Sequence, residues 1–210
     1  SKMKLARIYE FRNVKKAIAI YEDLAKESED YNLLMRLARL YRKTDQDEKF
    51  LKTNEKIFKY RPNVSSALSI LDNYLKDDKY ENALDFLNKL DRTLSPDKLP
   101  TCYGTVGSAL YEDTSSATVH FAERFLEMTG GRFKFNWRLQ MLMGYLYDRT
   151  GDTTKRDMYL DRVLTTSDSI ADVPIQIGIF YMDKQNWGRA VEIFKDFEDD
   201  FPEDNRFPLF

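Results

Sequence analysis

At 210 residues the chain is long enough for a sizeable core, and its 42% apolar and 32% charged residues are those of a folded protein. A net charge of −2 gives no global basic field to hold a phosphate backbone, so nucleic acid is not an expected partner. The apolar runs are only a few residues long, far short of the roughly 18 to 20 that a bilayer requires, so direct membrane insertion by this segment is not expected.

Apolar residues recur at helical spacing from the start of the chain. LARIY at 5–9 opens a first helix and is followed by Ala17, Tyr21 and Leu24 on a second, with a turn about one residue short between them. LARLY at 37–41 repeats that opening, and Pro62 closes its unit. Leu71, Tyr74, Tyr80, Ala83, Leu87 and Leu90 form a third pair around Asp77 and Asp78, with Ser95-Pro96 at its end. Val106, Gly107 and Leu110 suit a fourth first helix, and Ala122 and Phe125 its partner, at irregular spacing. Met143, Gly144 and Tyr147, the turn Thr150-Gly151-Asp152, then Leu160 and Val163 make a fifth. Gly178 and Tyr181, a turn at 185–188, then Ala190, Phe194, Phe197 and Pro202 make the sixth.

A helix–turn–helix unit returning about every 34 residues in this way resembles the tetratricopeptide repeat, the TPR. The resemblance implies an all-α fold, a right-handed α-solenoid of antiparallel helix pairs, as one repeat domain over 1–210. The pairs would span 1–30, 31–63, 64–97, 98–131, 137–170 and 171–204, with a tail at 205–210. Physical chemistry supports it independently. Small residues (Ala38, Gly107, Gly144, Gly178, Ala190) stand where two helices must approach, and stacked pairs bury a face that one pair cannot bury alone. A compact helical bundle would carry the same apolar stripes without that fixed register.

SKMKLARIYE opens inside a helix, which reads as a segment of a larger protein. Phe207, Leu209 and Phe210 crowd the last four positions, which suits either further repeats or a tail folded over the final pair. These residues carry no signal-peptide pattern, which in a segment of a larger protein says little, and the compartment stays open between a periplasmic or cell-envelope setting and the cytoplasm.

Residues for catalysis are scarce. The single histidine, His120, and the single cysteine, Cys102, cannot build a zinc site, and a Cys–His dyad would lack an orienting group and an oxyanion site. Gly130-Gly131, Gly104 and Gly107 match no phosphate-binding loop. Adjacent acids such as Asp77-Asp78 or Asp199-Asp200 point to different sides of a helix and are solvated. No enzyme activity, metal or cofactor is expected.

In the TPR family the first helix of each pair lines a concave groove. Carried over, Arg7, Arg36, Arg39 and Lys43 would face it, then Asp72 and Lys76, then Ser108 and Tyr111, and finally Met141, Tyr145, Ile175, Ile179 and Met182. The expected groove is basic at one end and apolar at the other, suited to a peptide or protein partner, an acidic one included. Residues 1–62 hold 16 Lys and Arg against 10 Asp and Glu, whereas residues 168–210 hold 4 against 10, so the acidic end of another copy is also a possible occupant. The subset of TPR domains that clamps the acidic tails of heat-shock chaperones is not matched: Arg7 stands where asparagine is expected, and the third pair offers Ser69 and Asp72. The implied function is a non-catalytic protein–protein interaction scaffold, or else a structural spacer in a larger assembly such as a bacterial envelope polysaccharide-export or outer-membrane assembly component.

Overall fold

The computed structural model describes residues 2–28, 30–167, 169–198, 200–204 and 206. Asp199 and, apart from Arg206, the tail expected to continue or cover the array lie outside the described residues. Among the described residues there are twelve α-helices and no strand. They run α1 (Lys2–Arg12), α2 (Val14–Glu27), α3 (Tyr31–Lys43), α4 (Asp47–Tyr60), α5 (Val64–Lys76), α6 (Tyr80–Leu90), α7 (Leu99–Glu112), α8 (Val119–Thr129), α9 (Trp137–Arg149), α10 (Thr153–Thr166), α11 (Asp172–Asp183) and α12 (Trp187–Glu198). A single 3-10 turn, Ser116–Thr118, precedes α8. Two compact units, residues 1–106 and 107–210, divide the chain within α7.

Short polar caps start the first helices. The side chains of Asp30, Asn63 and Asn136 accept from the backbone N–H groups of Asn32, Ser66 and Leu139, at 2.8, 2.9 and 3.1 Å. Each satisfies a donor that the first turn of a helix leaves without a partner.

Four of the turns within pairs share one geometry. Asp45, Asp78, Gly151 and Gln185 all adopt positive φ, between 53° and 84°. The next residue of each turn then donates its N–H to a tyrosine carbonyl five residues back: Gln46 to Tyr41, Lys79 to Tyr74, Asp152 to Tyr147 and Asn186 to Tyr181, at 2.8 to 3.0 Å. This is the Schellman closure of a helix end, which favours glycine at the left-handed position. Only Gly151 has it. Gln185→Gly should therefore stabilise unit 107–210 by about 1 kcal/mol, read as a rise in melting temperature; an unchanged or lowered midpoint would contradict the turn assignment.

The same tyrosines tie successive pairs together. Tyr41 on α3 donates to Glu22 on α2 (2.8 Å), Tyr74 on α5 to Glu55 on α4 (3.1 Å), and Tyr181 on α11 to Asp157 on α10 (2.7 Å). Burial first, then the neighbouring carboxylate, raises all three phenols, Tyr74 to about 12. They remain neutral donors at every physiological pH.

Within unit 1–106 one core cluster joins Ala6, Ala17, Ile18 and Tyr21 to Leu33, Leu37, Leu40 and Tyr41, so that α3 rests on the first pair. Unit 107–210 has its own core, built from Leu160, Val163, Ile177, Tyr181, Ala190 and Phe194 among others. Glycines set the closest helix approaches there. A Cβ on Gly178 would stand 2.3 Å from Cζ of Phe194, one on Gly144 2.6 Å from Cδ2 of Leu160, and one on Gly107 2.7 Å from Cδ2 of Leu142.

Candidate functional site: an arginine-lined cleft

Unit 1–106 carries a cleft of about 890 Å³ along α3 and its neighbours. Among the described residues its wall includes Arg7, Arg36, Arg39, Arg42 and Arg61, and no acidic side chain. Aromatic rings support two of them: the Arg42 guanidinium lies over Phe50 and that of Arg61 over Tyr31, 5.8 and 5.7 Å from the ring centroids. Such stacking presents the cation to the cleft while its flat face remains on carbon. Asn32, Asn54, Asn63 and Ser69 add uncharged polar groups.

Beneath this wall Glu10 is buried, with its side chain only 5% exposed. It accepts from Tyr21 Oη at 2.5 Å and from Arg36 Nη1 at 2.8 Å, and Arg39 Nη2 binds its other oxygen. Burial alone would raise the Glu10 carboxyl, but the bonds from Tyr21 and Arg36 and the two guanidinium charges outweigh it and hold the group below its ordinary range. Burial and the same carboxylate push the Tyr21 phenol up to about 12.

The cations fall into two sets. Arg36 and Arg39 share a buried counter-charge. Arg7, Arg42 and Arg61 have no ion-pair partner within 4 Å among the described residues.

The other expected groove residues divide as follows. Lys43 is exposed, but Arg42 takes the place in the cleft wall expected for it. Asp72 and Lys76 line a smaller cavity of about 310 Å³ that shares Arg42 and Phe50 with the cleft. Burial raises the Asp72 carboxyl, against the opposing charge of Arg42. In unit 107–210 the expected apolar surface is largely packing. Met141 and Ile175 are each 8% exposed and belong to the core, which corrects their placement on an open face. Tyr145 and Met182 pack against that core. Tyr145 is sandwiched between Tyr111 and Phe180, with centroids 5.4 and 4.7 Å away and both rings within 28° of parallel. Three first helices thus approach closely enough for residues facing the groove to cover one another. Only Tyr111 and Ile179 of that set keep substantial exposure, and Ser108 is exposed as well.

Sequence reasoning missed Arg61 and Arg42. Arg42 is three residues beyond Arg39 on the same helical face, a usable signal. Arg61 follows α4 and reaches the wall through Tyr31 of α3, which no local spacing reveals.

The remaining reactive groups are quiet. Cys102 is fully buried, and burial pushes its thiol up to about 11, away from the nucleophilic thiolate. His120 is exposed and lies against Phe121, ring centroids 3.8 Å apart. Among the described residues no group of three His, Cys, Asp or Glu side chains could hold a metal ion, and no helix is long and apolar enough to cross a membrane.

No protein-family model matches the sequence, and no curated protein does. Solved structures do match. The C-terminal part of a TPR repeat-containing protein from Cytophaga hutchinsonii aligns over 95% of this chain and 79% of its own, with a TM-score of 0.52 at 15% identity. The chain has the TPR fold. MamA aligns over 82% of this chain and 92% of its own, with a TM-score of 0.48 at 18% identity. YrrB, described as a TPR protein with an unusual peptide-binding site, aligns over 90% and 95%, with a TM-score of 0.46 at 17% identity. At these identities the TPR likeness is one of architecture, all-α and built from antiparallel helix pairs.

Proposed function

We propose that this TPR chain is a protein-interaction module whose arginine cleft takes an acidic segment of a partner protein. The observation that carries the reading is the wall itself: five arginines, three of them without a salt bridge within 4 Å among the described residues, beside aromatic rings and amides. Guanidinium groups favour carboxylates because their paired N–H donors match both oxygens. Phe50, Tyr31 and Met35 offer apolar contact between the charges, so an acidic segment carrying an aromatic or aliphatic residue fits best. Steering by exposed charges acts mainly on encounter.

A fluorescein-labelled peptide of glutamates around a central phenylalanine serves as the probe. Affinity should fall as salt rises towards physiological strength, where charges are screened over about 8 Å. Arg42→Glu and Arg61→Glu should each weaken binding about tenfold, chiefly through slower association. Lys43→Gln, outside the wall and without charge reversal, should change it less than either arginine variant. Binding that ignores both arginine variants, or no binding at low salt, would overturn the reading.

A further inference from the structure

The loop between α8 and α9 combines charge and exposure in a way the repeat pattern does not require. Residues 128–147 hold Arg132, Lys134 and Arg138 and no Asp or Glu, in a chain whose net charge is −2. Phe133, Phe135 and Trp137 alternate with these cations. Phe135 is 100% exposed, so none of the described residues shields its ring from water. A single exposed aromatic is ordinary on a protein surface. One set among three cations, on a loop held in place, is not.

The loop is pinned from beneath. Buried Gln140 donates through Nε2 to the carbonyls of Arg132 and Phe133, both at 3.2 Å, while its own side-chain oxygen accepts from Arg162 at 3.3 Å. Asn136 donates its N–H to the Phe133 carbonyl at 2.9 Å, and its side chain caps α9. Phe133 is thereby kept at φ 53°, a left-handed conformation that a bulky residue adopts only where its surroundings impose it. The rings on either side of Phe135 each carry a cation: the Arg132 guanidinium lies 5.0 Å from the Phe133 centroid, and that of Arg138 lies 4.2 Å from the Trp137 centroid. Such pairs, with an apolar body and a cationic tip, suit the boundary of a bilayer, where aromatic rings rest at headgroup level and cations meet anionic lipid.

We infer that this loop is a contact site for an anionic membrane surface, with Phe135 entering the headgroup layer and Arg132, Lys134 and Arg138 meeting the lipid phosphates. A protein partner would need a pocket matched to the protruding ring, whereas a headgroup layer closes round it. The contact is peripheral, since among the described residues no helix is long and apolar enough to cross a membrane. The loop belongs to unit 107–210 and the arginine cleft to unit 1–106, so the two readings stand or fall separately.

Co-sedimentation of the full chain with vesicles tests it, using about one part phosphatidylserine to two of phosphatidylcholine against phosphatidylcholine alone. Binding is expected with the anionic vesicles only, and should decline as salt rises. Phe135→Ser should weaken it about tenfold, and Lys134→Gln about fivefold. Both positions are exposed, so the helical circular dichroism should remain that of the parent. Phe135→Trp should keep the binding, and its fluorescence should shift to the blue when anionic vesicles are added. Arg42→Gln, in the cleft, should matter less than Lys134→Gln. Absence of vesicle binding at low salt would overturn the proposal, as would binding that ignores Phe135→Ser or is lost only through Arg42→Gln. If the glutamate–phenylalanine peptide engages residues 132–138 while vesicles do not, the loop reads protein rather than lipid and the proposal falls.

Discussion

Replacing Gly178 with leucine should destabilise unit 107–210 by about 3 kcal/mol and lower its melting temperature by roughly 12 to 24 °C. The added Cβ alone would stand 2.3 Å from Cζ of Phe194. That ring is buried between α11 and α12 and has no solvent to swing into. Gly144→Leu should behave in the same direction against Leu160. Gly188 supplies the control. Nothing lies within 4 Å of a Cβ built on it, and it is exposed near the start of α12. Gly188→Ala should therefore stabilise by up to about 1 kcal/mol, since glycine costs that much in a helix. If Gly178→Leu left the melting temperature alone, α11 would not rest on Phe194.

The second large effect concerns Glu10. Removing both Arg36 and Arg39, as the double alanine variant, leaves a buried carboxylate with only Tyr21 to stabilise it. The expected loss at neutral pH is about 3 kcal/mol, the scale for stranding one member of a buried ion pair. Its pH dependence has a definite sign. In the parent the Glu10 pKa is lowered from the ordinary 4.5, so its stabilising contribution is complete above that value and disappears as pH falls through the lowered one. In the variant burial is opposed by the Tyr21 hydrogen bond without the two guanidinium groups, so the pKa is higher than in the parent and protonation relieves the strain earlier. The stability gap between the two proteins should thus narrow as pH drops below neutrality. A gap independent of pH, measured by urea unfolding across that range, would show that Glu10 is not the coupled group.

These two effects also mark what was legible in the sequence. Gly178 against Phe194 is a contact within one pair, across one turn, so a fixed register of small and large residues displays it. The tyrosines at 41, 74, 147 and 181 are visible for the same reason, each at the end of a first helix with its turn just beyond. Glu10 is different. In the sequence it is an ordinary acid on a short helix, and it becomes buried because Tyr21 and Arg36 reach it from two other helices. Met141 and Ile175 fail in the opposite direction. Helical spacing shows which face a residue is on, but not how closely successive first helices approach. In unit 107–210 they come close enough to stack Tyr145 between two rings, and the expected apolar surface is consumed by packing. Arg42 and Arg61 are held in the cleft by Phe50 and Tyr31 on other helices, a cross-helix relation that one-dimensional spacing does not contain.

Amide-resolved NMR on the chain titrated with the glutamate–phenylalanine peptide reads occupancy of the arginine cleft residue by residue. Saturable shifts are expected only in the cleft wall, at Asn32, Met35, Arg39 and Arg42 of α3 and at Arg61, Asn63 and Ser66, and they should vanish in the Arg42→Glu, Arg61→Glu double variant. Shifts clustering instead on Tyr111, Tyr145 and Ile179, or shifts that survive in the double variant, would contradict it.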